Sequence, residues 1–251
     1  MGMLTLGKGR YQVRFAHSPE DVLAAQKLRY LAFHADQSGN DSVSLDQDAY
    51  DEICQHVIIE DTRTSEMVCC FRILPLNSGT EISSSYSAQY YELSALESFD
   101  GPMVEMGRFC IHPDCNDPDI LRFAWGAMTK FVDENGVEML FGCSSFQGTD
   151  EKAYLDSFAM LRDRHLAPKR WLPRVKAPNV FRFAERLRRK PNMKQAMRLM
   201  PPLLKTYLMM GGWVSDHAVV DRHMNTLHVF TGVEIKAIPA ARKRLLRLTA
   251  S

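Results

Sequence analysis

The sequence predicts an α/β fold, a mixed sheet flanked by helices, with a basic helical extension at its C-terminal end. Three observations point there. Segments that alternate as strands do, and segments with apolar residues at helical spacing, follow one another as strand, helix, three strands, helix, strand, helix. Two helix starts carry a full set of signals, Ser18-Pro19-Glu20-Asp21 and Asp117-Pro118-Asp119: a capping side chain, proline at the first helical position and acid in the first turn. The charge is also segregated. From Lys169 to Lys205 the chain places twelve of its 31 basic residues and one of its 30 acids, Glu185, so a chain of net +1 holds a segment of +11.

In chain order, residues 1–10 read as a flexible tail, 11–167 as the core and 168–251 as a basic, amphipathic extension packed on it, in which 181–190 and 197–213 mix cations with Phe, Leu, Met and Trp as interfacial helices do. Residues 11–16 alternate as a strand. The helix opening at Ser18 runs to about Phe33 and sets Arg29 and Phe33 on one face, four residues apart. The polar stretch that follows ends in an acid cluster, Asp46, Asp48 and Asp51, suited to gripping a cation, either a metal or an amino-acid substrate, or else left as free solvated carboxylates. It lacks the glycine and distant glutamate of a calcium loop. Residues 54–61 and 66–74 form an antiparallel pair, the second ending Phe71-Arg72-Ile73-Leu74-Pro75. The serine-rich stretch 76–87 reads as a mobile loop and 90–98 as a short helix. The helix capped by Asp117 closes at Asn135-Gly136. A strand over 137–146 then leads through Gly148-Thr149-Asp150 into a helix ending near His165.

The totals set limits. At 251 residues, 45% hydrophobic and 24% charged, the chain is an ordinary globular one with a sizeable core. Six irregularly spaced cysteines, and a start without a basic and then apolar run, read as a reduced cytosolic protein. No apolar run approaches the length of a membrane span. Cys110-x-His112-x-x-Cys115 lacks a second ligand pair, so no metal is expected. The +11 segment calls for an anionic partner: an acidic carrier protein, an anionic membrane surface or a nucleic acid. Neither a zinc pattern nor an RNA-recognition signature is present, and nucleic acid is not expected.

Chemistry concentrates in the strand 104–113, where Glu105 and Arg108 flank Gly107. In a regular strand the two would face opposite ways. Glycine inside a strand often marks a bulge, which would turn both toward one site and free backbone N–H groups beside them. Such a place can take a proton from an amine and hold a carbonyl oxygen. A half-buried strand with a surface ion pair is the alternative. The turn after this strand, His112-Pro113-Asp114-Cys115-Asn116-Asp117, has no glycine and two acids, and so repels a diphosphate.

Together, Arg29 and Phe33, the acids Asp46, Asp48 and Asp51, the Phe71-Arg72-x-x-Pro75 strand and Glu105-x-x-Arg108-Phe109 resemble the acyl-homoserine lactone synthases, within the acetyltransferase-like (GNAT) fold. Across both halves, residues 11–235, the chain more fully resembles a sister family, the ornithine lipid N-acyltransferases. The added matches are Gly142-Cys143-Ser144-Ser145-Phe146-x-Gly148-Thr149-Asp150, then Pro201-Pro202-Leu203-Leu204-Lys205-x-Tyr207-Leu208, then a run from Val214 to Thr226. This resemblance implies an enzyme that moves a 3-hydroxyacyl chain from acyl carrier protein to the α-amine of an amino acid, ornithine first, opening an aminolipid synthesis.

It implies no bound cofactor, with acyl-phosphopantetheine of the carrier as co-substrate. Glu105 and Arg108 would be catalytic. Arg29, Phe33, Asp46, Asp48, Asp51, His56 and Arg72 would bind the amino acid, and Cys143, Ser144 and Ser145 would line the path of the pantetheine arm. The enzyme would sit in the cytoplasm, peripheral at the inner face of the membrane, with 169–205 on the anionic surface. Two departures bear on the acceptor: Gln55 stands where the family carries an aspartate, and residues 227–235 differ from the forms of the ornithine users, which makes glutamine or another amino acid the second candidate. The alternatives are homoserine lactone synthesis from S-adenosylmethionine, which the C-terminal extension argues against, and a non-catalytic carrier- or nucleic-acid-binding module.

Overall fold

The computed structural model describes residues 5–7, 9–34 and 44–250; most of the polar stretch before the acid cluster (35–43), and residues 1–4 and 8 of the expected tail, lie outside them. The first elements are β1 (Thr5–Gly7), β2 (Tyr11–Phe15), α1 (Pro19–His34), β3 (Gln55–Asp61), β4 (Glu66–Leu76), β5 (Tyr91–Glu92), β6 (Met103–Ile111), α2 (Pro118–Asn135) and β7 (Met139–Gln147). There follow α3 (Leu155–Arg164), β8 (Arg174–Val175), β9 (Val180–Phe181), α4 (Phe183–Arg186), α5 (Met193–Leu199), α6 (Pro202–Met209), β10 (Trp213–Val214), β11 (Ala218–Asp221), β12 (Thr226–Glu234) and α7 (Ala240–Ala250). These elements form two compact units, and the chain passes from one to the other inside β6, between Glu105 and Met106.

The first unit comprises Met1–Pro75, Met106–Val137 and Ala240–Ser251. Its strands run β1-β2-β3-β4 in antiparallel pairs, with β6 next to β4. β3 is buried on both sides. Val57 and Ile59 lie opposite Phe15 and Val13 of β2, on the side where Tyr11 and Phe15 meet Phe123 and Phe131 of α2 edge-on. Ile58 turns the other way and packs with Ala25 and Leu28 of α1 and with Cys70 and Cys110. A strand covered by a helix on each face needs apolar residues at successive positions, which is why His56-Val57-Ile58-Ile59 does not alternate. α2 starts and stops where its sequence signals lie: Asp117 accepts the Asp119 N–H, and Gly136 closes the helix at φ 61°, a conformation that favours glycine.

The second unit comprises Leu76–Glu105 and Glu138–Pro239. Its strand order is β6-β7-β12-β11-β9, and the sheet is mixed: Met103–Glu105 runs parallel to Met139–Phe141, and β12 runs antiparallel to the whole of β7. Aromatic side chains fill the layers. Phe230 stacks on Phe141 at 5.8 Å and on Trp213 at 5.9 Å, and Phe158 of α3 meets Phe146, Phe181 and Phe183 at 4.9–5.4 Å.

Four expectations need correction. The flexible tail contains β1, paired with Gln12–Arg14. The mobile loop 76–87 is a run of 3₁₀ turns with Ile82, Ser85 and Ser87 buried; a side chain at Gly79 would fall within 1.9 Å of the Leu96 carbonyl oxygen, so the bare backbone lets the segment close. Residues 90–98 form a two-residue strand and a 3₁₀ turn instead of a helix. The extension 168–251 is not wholly helical, because β9, β11 and β12 belong to the sheet. Their packing also uses the apolar residues that mark an interfacial helix: Phe181, Phe183, Leu204, Leu208, Met210 and Trp213 are all buried.

His228 sits in this second core. The Tyr91 hydroxyl donates to the His228 carbonyl at 2.8 Å, so the ring Nδ1 at 3.1 Å is the donor to that hydroxyl and the imidazole is neutral. Burial pulls its pKa down to about 4 from the ordinary 6.5. The folded state then resists a proton that the unfolded chain accepts. Stability from this residue is complete above pH 6.5 and is lost as the pH falls toward about 4, by roughly 3 kcal/mol in total. Urea titrations between pH 7 and pH 4 are expected to show this decline, and His228→Gln is expected to flatten it.

Candidate active site

In the first unit, three arginines from three elements converge on the acid cluster. Arg29 of α1, 1% exposed, donates from Nε to Asp46 at 2.9 Å, and from Nη2 to Asp51 at 2.9 Å and to the Asp46 backbone carbonyl. Arg72 of β4 donates to both oxygens of Asp48, at 2.5 and 3.0 Å, and to Asp51 at 2.8 Å. Arg108 of β6 donates to Asp46 and Asp48, each at 3.1 Å. His56 lies with Nε2 3.0 Å from the Asp51 carbonyl oxygen, and burial lowers its pKa against the opposing pull of Asp51. Burial would raise the pKa of Asp51, but Arg29, Gln26 and Arg72 outweigh it and hold the carboxyl well below the usual range. Asp48 is held down in the same way by Arg72 and Arg108. Three cations and three anions cancel, and the acids brace the arginines.

Arg108 itself has φ 51°, so the irregularity expected at Gly107 falls one residue later. A non-glycine residue in that region costs about 1–3 kcal/mol. Its ion pairs with Asp46 and Asp48 hold it there. Phe33, partly buried, packs on the Ala25, Leu28, Ile58, Cys70 and Cys110 cluster.

In the second unit, Glu105 is buried and its carboxylate accepts three hydrogen bonds. The Tyr86 N–H donates to Oε2 at 2.8 Å; the Ser87 N–H and hydroxyl donate to Oε1 at 2.8 and 2.6 Å. Cys143 of β7 lies with Sγ 3.4 Å from the Ser87 hydroxyl. Ser144 accepts from the Thr231 hydroxyl at 2.9 Å, and Ser145 is exposed. The Tyr207 phenol of α6 is pushed up by burial and then by the charge of Glu105. The described partners of Glu105 and Arg108 are therefore different residues. Tyr86, Ser87 and Tyr207 carry no spacing signal; Tyr86 and Ser87 lie in the stretch read as a mobile loop, and only the folded chain brings them to Glu105. Among the described residues no group of three His, Cys, Asp or Glu side chains is placed to hold a metal.

Residues 28–126 match the acetyltransferase (GNAT) domain family. An L-ornithine N(alpha)-acyltransferase of Rhodobacter capsulatus is 30% identical over 239 residues, 91% of each chain. The chain belongs to the L-ornithine N(alpha)-acyltransferase family. It is thus an amino-acid N-acyltransferase. The relative of the same name from Brucella abortus is 27% identical over 94% of this chain and 88% of its own. Among solved structures, an N-acyl amino acid synthase from uncultured soil microbes superposes with a TM-score of 0.52 at 9% identity, over 91% of this chain and 94% of the other, a likeness of fold.

Replacing Arg72 by methionine takes from Asp48 and from Asp51 one of the two arginines that each is paired with, leaving Arg108 and Arg29, and sets a buried apolar chain beside them. Loss of one partner from such a pair costs about 3–5 kcal/mol. Calorimetry is expected to show a marked fall in Tm at neutral pH, and the further loss of stability below about pH 4 is expected to be shallower than in the wild type, because Asp48 and Asp51 each lose one of the cations that hold their pKa down.

Proposed function

We propose that this acyltransferase acylates the α-amine of ornithine with a 3-hydroxyacyl chain delivered by acyl carrier protein, and that Glu105 is the base. The observation that carries this reading is the Glu105 carboxylate, buried and held by three donors on a strand. An α-ammonium cannot attack, and near neutral pH most of the amine is protonated. Glu105 takes that proton, directly or through one water. The amine then attacks the thioester carbon and an N–C bond forms. The oxyanion is held by backbone N–H groups at the irregular turn of β6 around Gly107 and Arg108. Collapse breaks the C–S bond; the pantetheine thiolate, with a thiol pKa of about 8.5, leaves without a dedicated acid and takes up the second proton of the former amine, while Glu105 returns the first to water. Arg72 and Arg108 are assigned to the substrate carboxylate through the lattice they share with Asp46, Asp48 and Asp51, which matches guanidinium chemistry. Cys143, Ser144 and Ser145 are assigned to the pantetheine path.

Two features support a carrier-bound donor over a nucleotide-bound one. The turn before α2 offers Asp114, almost fully exposed, and its last acid, Asp117, already caps the helix. Its acids also oppose a diphosphate. Ornithine as acceptor rests on what the relatives are named for acting on. Glutamine, raised by Gln55, is the comparison.

Incubating the protein with 3-hydroxyacyl carrier protein or the matching coenzyme A thioester, and with ornithine or glutamine, is expected to yield N-acylornithine from the carrier donor alone by mass detection. Equal use of coenzyme A, or preference for glutamine, would overturn the corresponding part. Glu105→Gln is expected to lower turnover roughly 10²–10⁴-fold. Its Tm is measured alongside, because the new amide N–H faces the Tyr86 or Ser87 N–H.

The segment 169–205 is assigned to an anionic membrane surface. Eleven of its twelve cations are exposed, and among the described residues no helix is long and apolar enough to cross a membrane. With Phe181, Phe183 and Leu204 buried and Met197 exposed, attraction rests mainly on charge, about 1 kcal/mol per cation near the surface. Sedimentation with phosphatidylserine vesicles is expected to show binding that disappears as salt rises; binding unaffected by salt would remove this assignment.

A further inference from the structure

Tyr86 and Ser87 open a 3₁₀ turn, Ser87–Gln89, whose first N–H groups have no acceptor within the turn. Glu105 supplies one, taking both backbone N–H groups as a capping carboxylate would. Capping needs no more than those two bonds. The Ser87 hydroxyl adds a third at 2.6 Å, the shortest of the set, from a fully buried side chain. An ionised carboxylate only accepts, so the single hydroxyl hydrogen of Ser87 is committed to Glu105. The Cys143 thiol, 3.4 Å away, is then the donor to Ser87 Oγ, and the order runs thiol to hydroxyl to carboxylate. Donors aligned in a chain polarise one another in a dry site.

We infer that Ser87 is a positioning residue for the acyl transfer, holding Glu105 ionised and fixed in orientation, with the Cys143 thiol reinforcing it from behind. This rests on the reading of Glu105 as the base. Charge-assisted bonds of this kind are about twice as strong as neutral ones, and their strength favours the ionised acid over the protonated one. Removing the hydroxyl leaves the cap in place and takes away only the part that tunes the acid. Among the described groups around Glu105 are also the backbone of Tyr86, Cys143 of β7 behind Ser87, and the Tyr207 phenol of α6. That phenol is raised by burial and by Glu105 itself, and stays neutral through the working range.

The test is the pH dependence of kcat at saturating ornithine and acyl donor, in wild type, Ser87→Ala, Ser87→Thr and Cys143→Ala, with Tm measured for each. Ser87→Ala is expected to move the acid limb up by about one pH unit, with kcat below that limb down about tenfold and KM for ornithine unchanged. Ser87→Thr is expected to restore the limb. Cys143→Ala removes the thiol's own titration and is expected to move the limb the same way by less; it carries the test alone if Ser87→Ala does not fold. An acid limb unmoved in both Ser87→Ala and Cys143→Ala, or a uniform fall in kcat at every pH, would overturn the inference. Glu105→Gln separates the two readings. If it keeps wild-type turnover, the base assignment fails; if it loses turnover while the limb of the other variants stays put, only the role of Ser87 fails.

Discussion

A charge can leave water only in the company of its partner. Moving a single ion into a protein interior costs several kcal/mol even after relaxation, and the first unit buries the guanidiniums of Arg29 and Arg72 and two carboxylates almost completely, with Arg108 partly buried beside them. The acid stretch from Asp46 to Asp51 has little apolar material of its own, and Gln47 and Ala49 are exposed. Its shape is therefore set by where Arg29, Arg72 and Arg108 stand. Those arginines come from a helix and two strands that are placed by apolar packing around Ile58, Cys70 and Cys110. Hydrophobic packing thus fixes the cations, the cations fix the acids, and the left-handed turn at Arg108 is held at the end of that sequence.

The second unit solves the same problem with one anion. The described hydrogen-bond donors to Glu105 include two backbone N–H groups and a hydroxyl. Dipoles held rigidly by a short turn take a share of the part that a counter-ion plays elsewhere, and they favour the ionised form of the acid. In the base role proposed for Glu105, that fixed charge is the starting condition.

Much of this was legible because some signals are local. Ser18-Pro19 and Asp117-Pro118-Asp119 mark α1 and α2, and Asn135-Gly136 marks the end of α2, because capping is decided by neighbours in sequence. The four-residue spacing of Arg29 and Phe33 put both on the inner side of α1, where one meets Asp46 and the other the apolar cluster. The segment 76–96 was not legible. Its 3₁₀ turns have no period to detect, and its order depends on contacts as distant in sequence as Gly79 with Leu96 and Ser87 with Glu105. The C-terminal part was misjudged for a related reason. Aromatic residues mixed with cations look alike whether the rings face lipid or a sheet, and β9 is only two residues long. Only the pairing of β11 and β12 reveals which side the rings take.

The residue that caps α2 illustrates how selectivity can arise without a dedicated device. Asp117 accepts the Asp119 N–H and also the Tyr11 hydroxyl, at 2.9 and 2.8 Å. A helix that carries its own anion at the positive end of its dipole has nothing left there to offer a phosphate. Two acyl donors with identical thioester arms but different handles would then be told apart by a residue whose everyday task is to begin a helix. Discrimination of this sort comes with the fold, and an arginine introduced at the cap would surrender both at once.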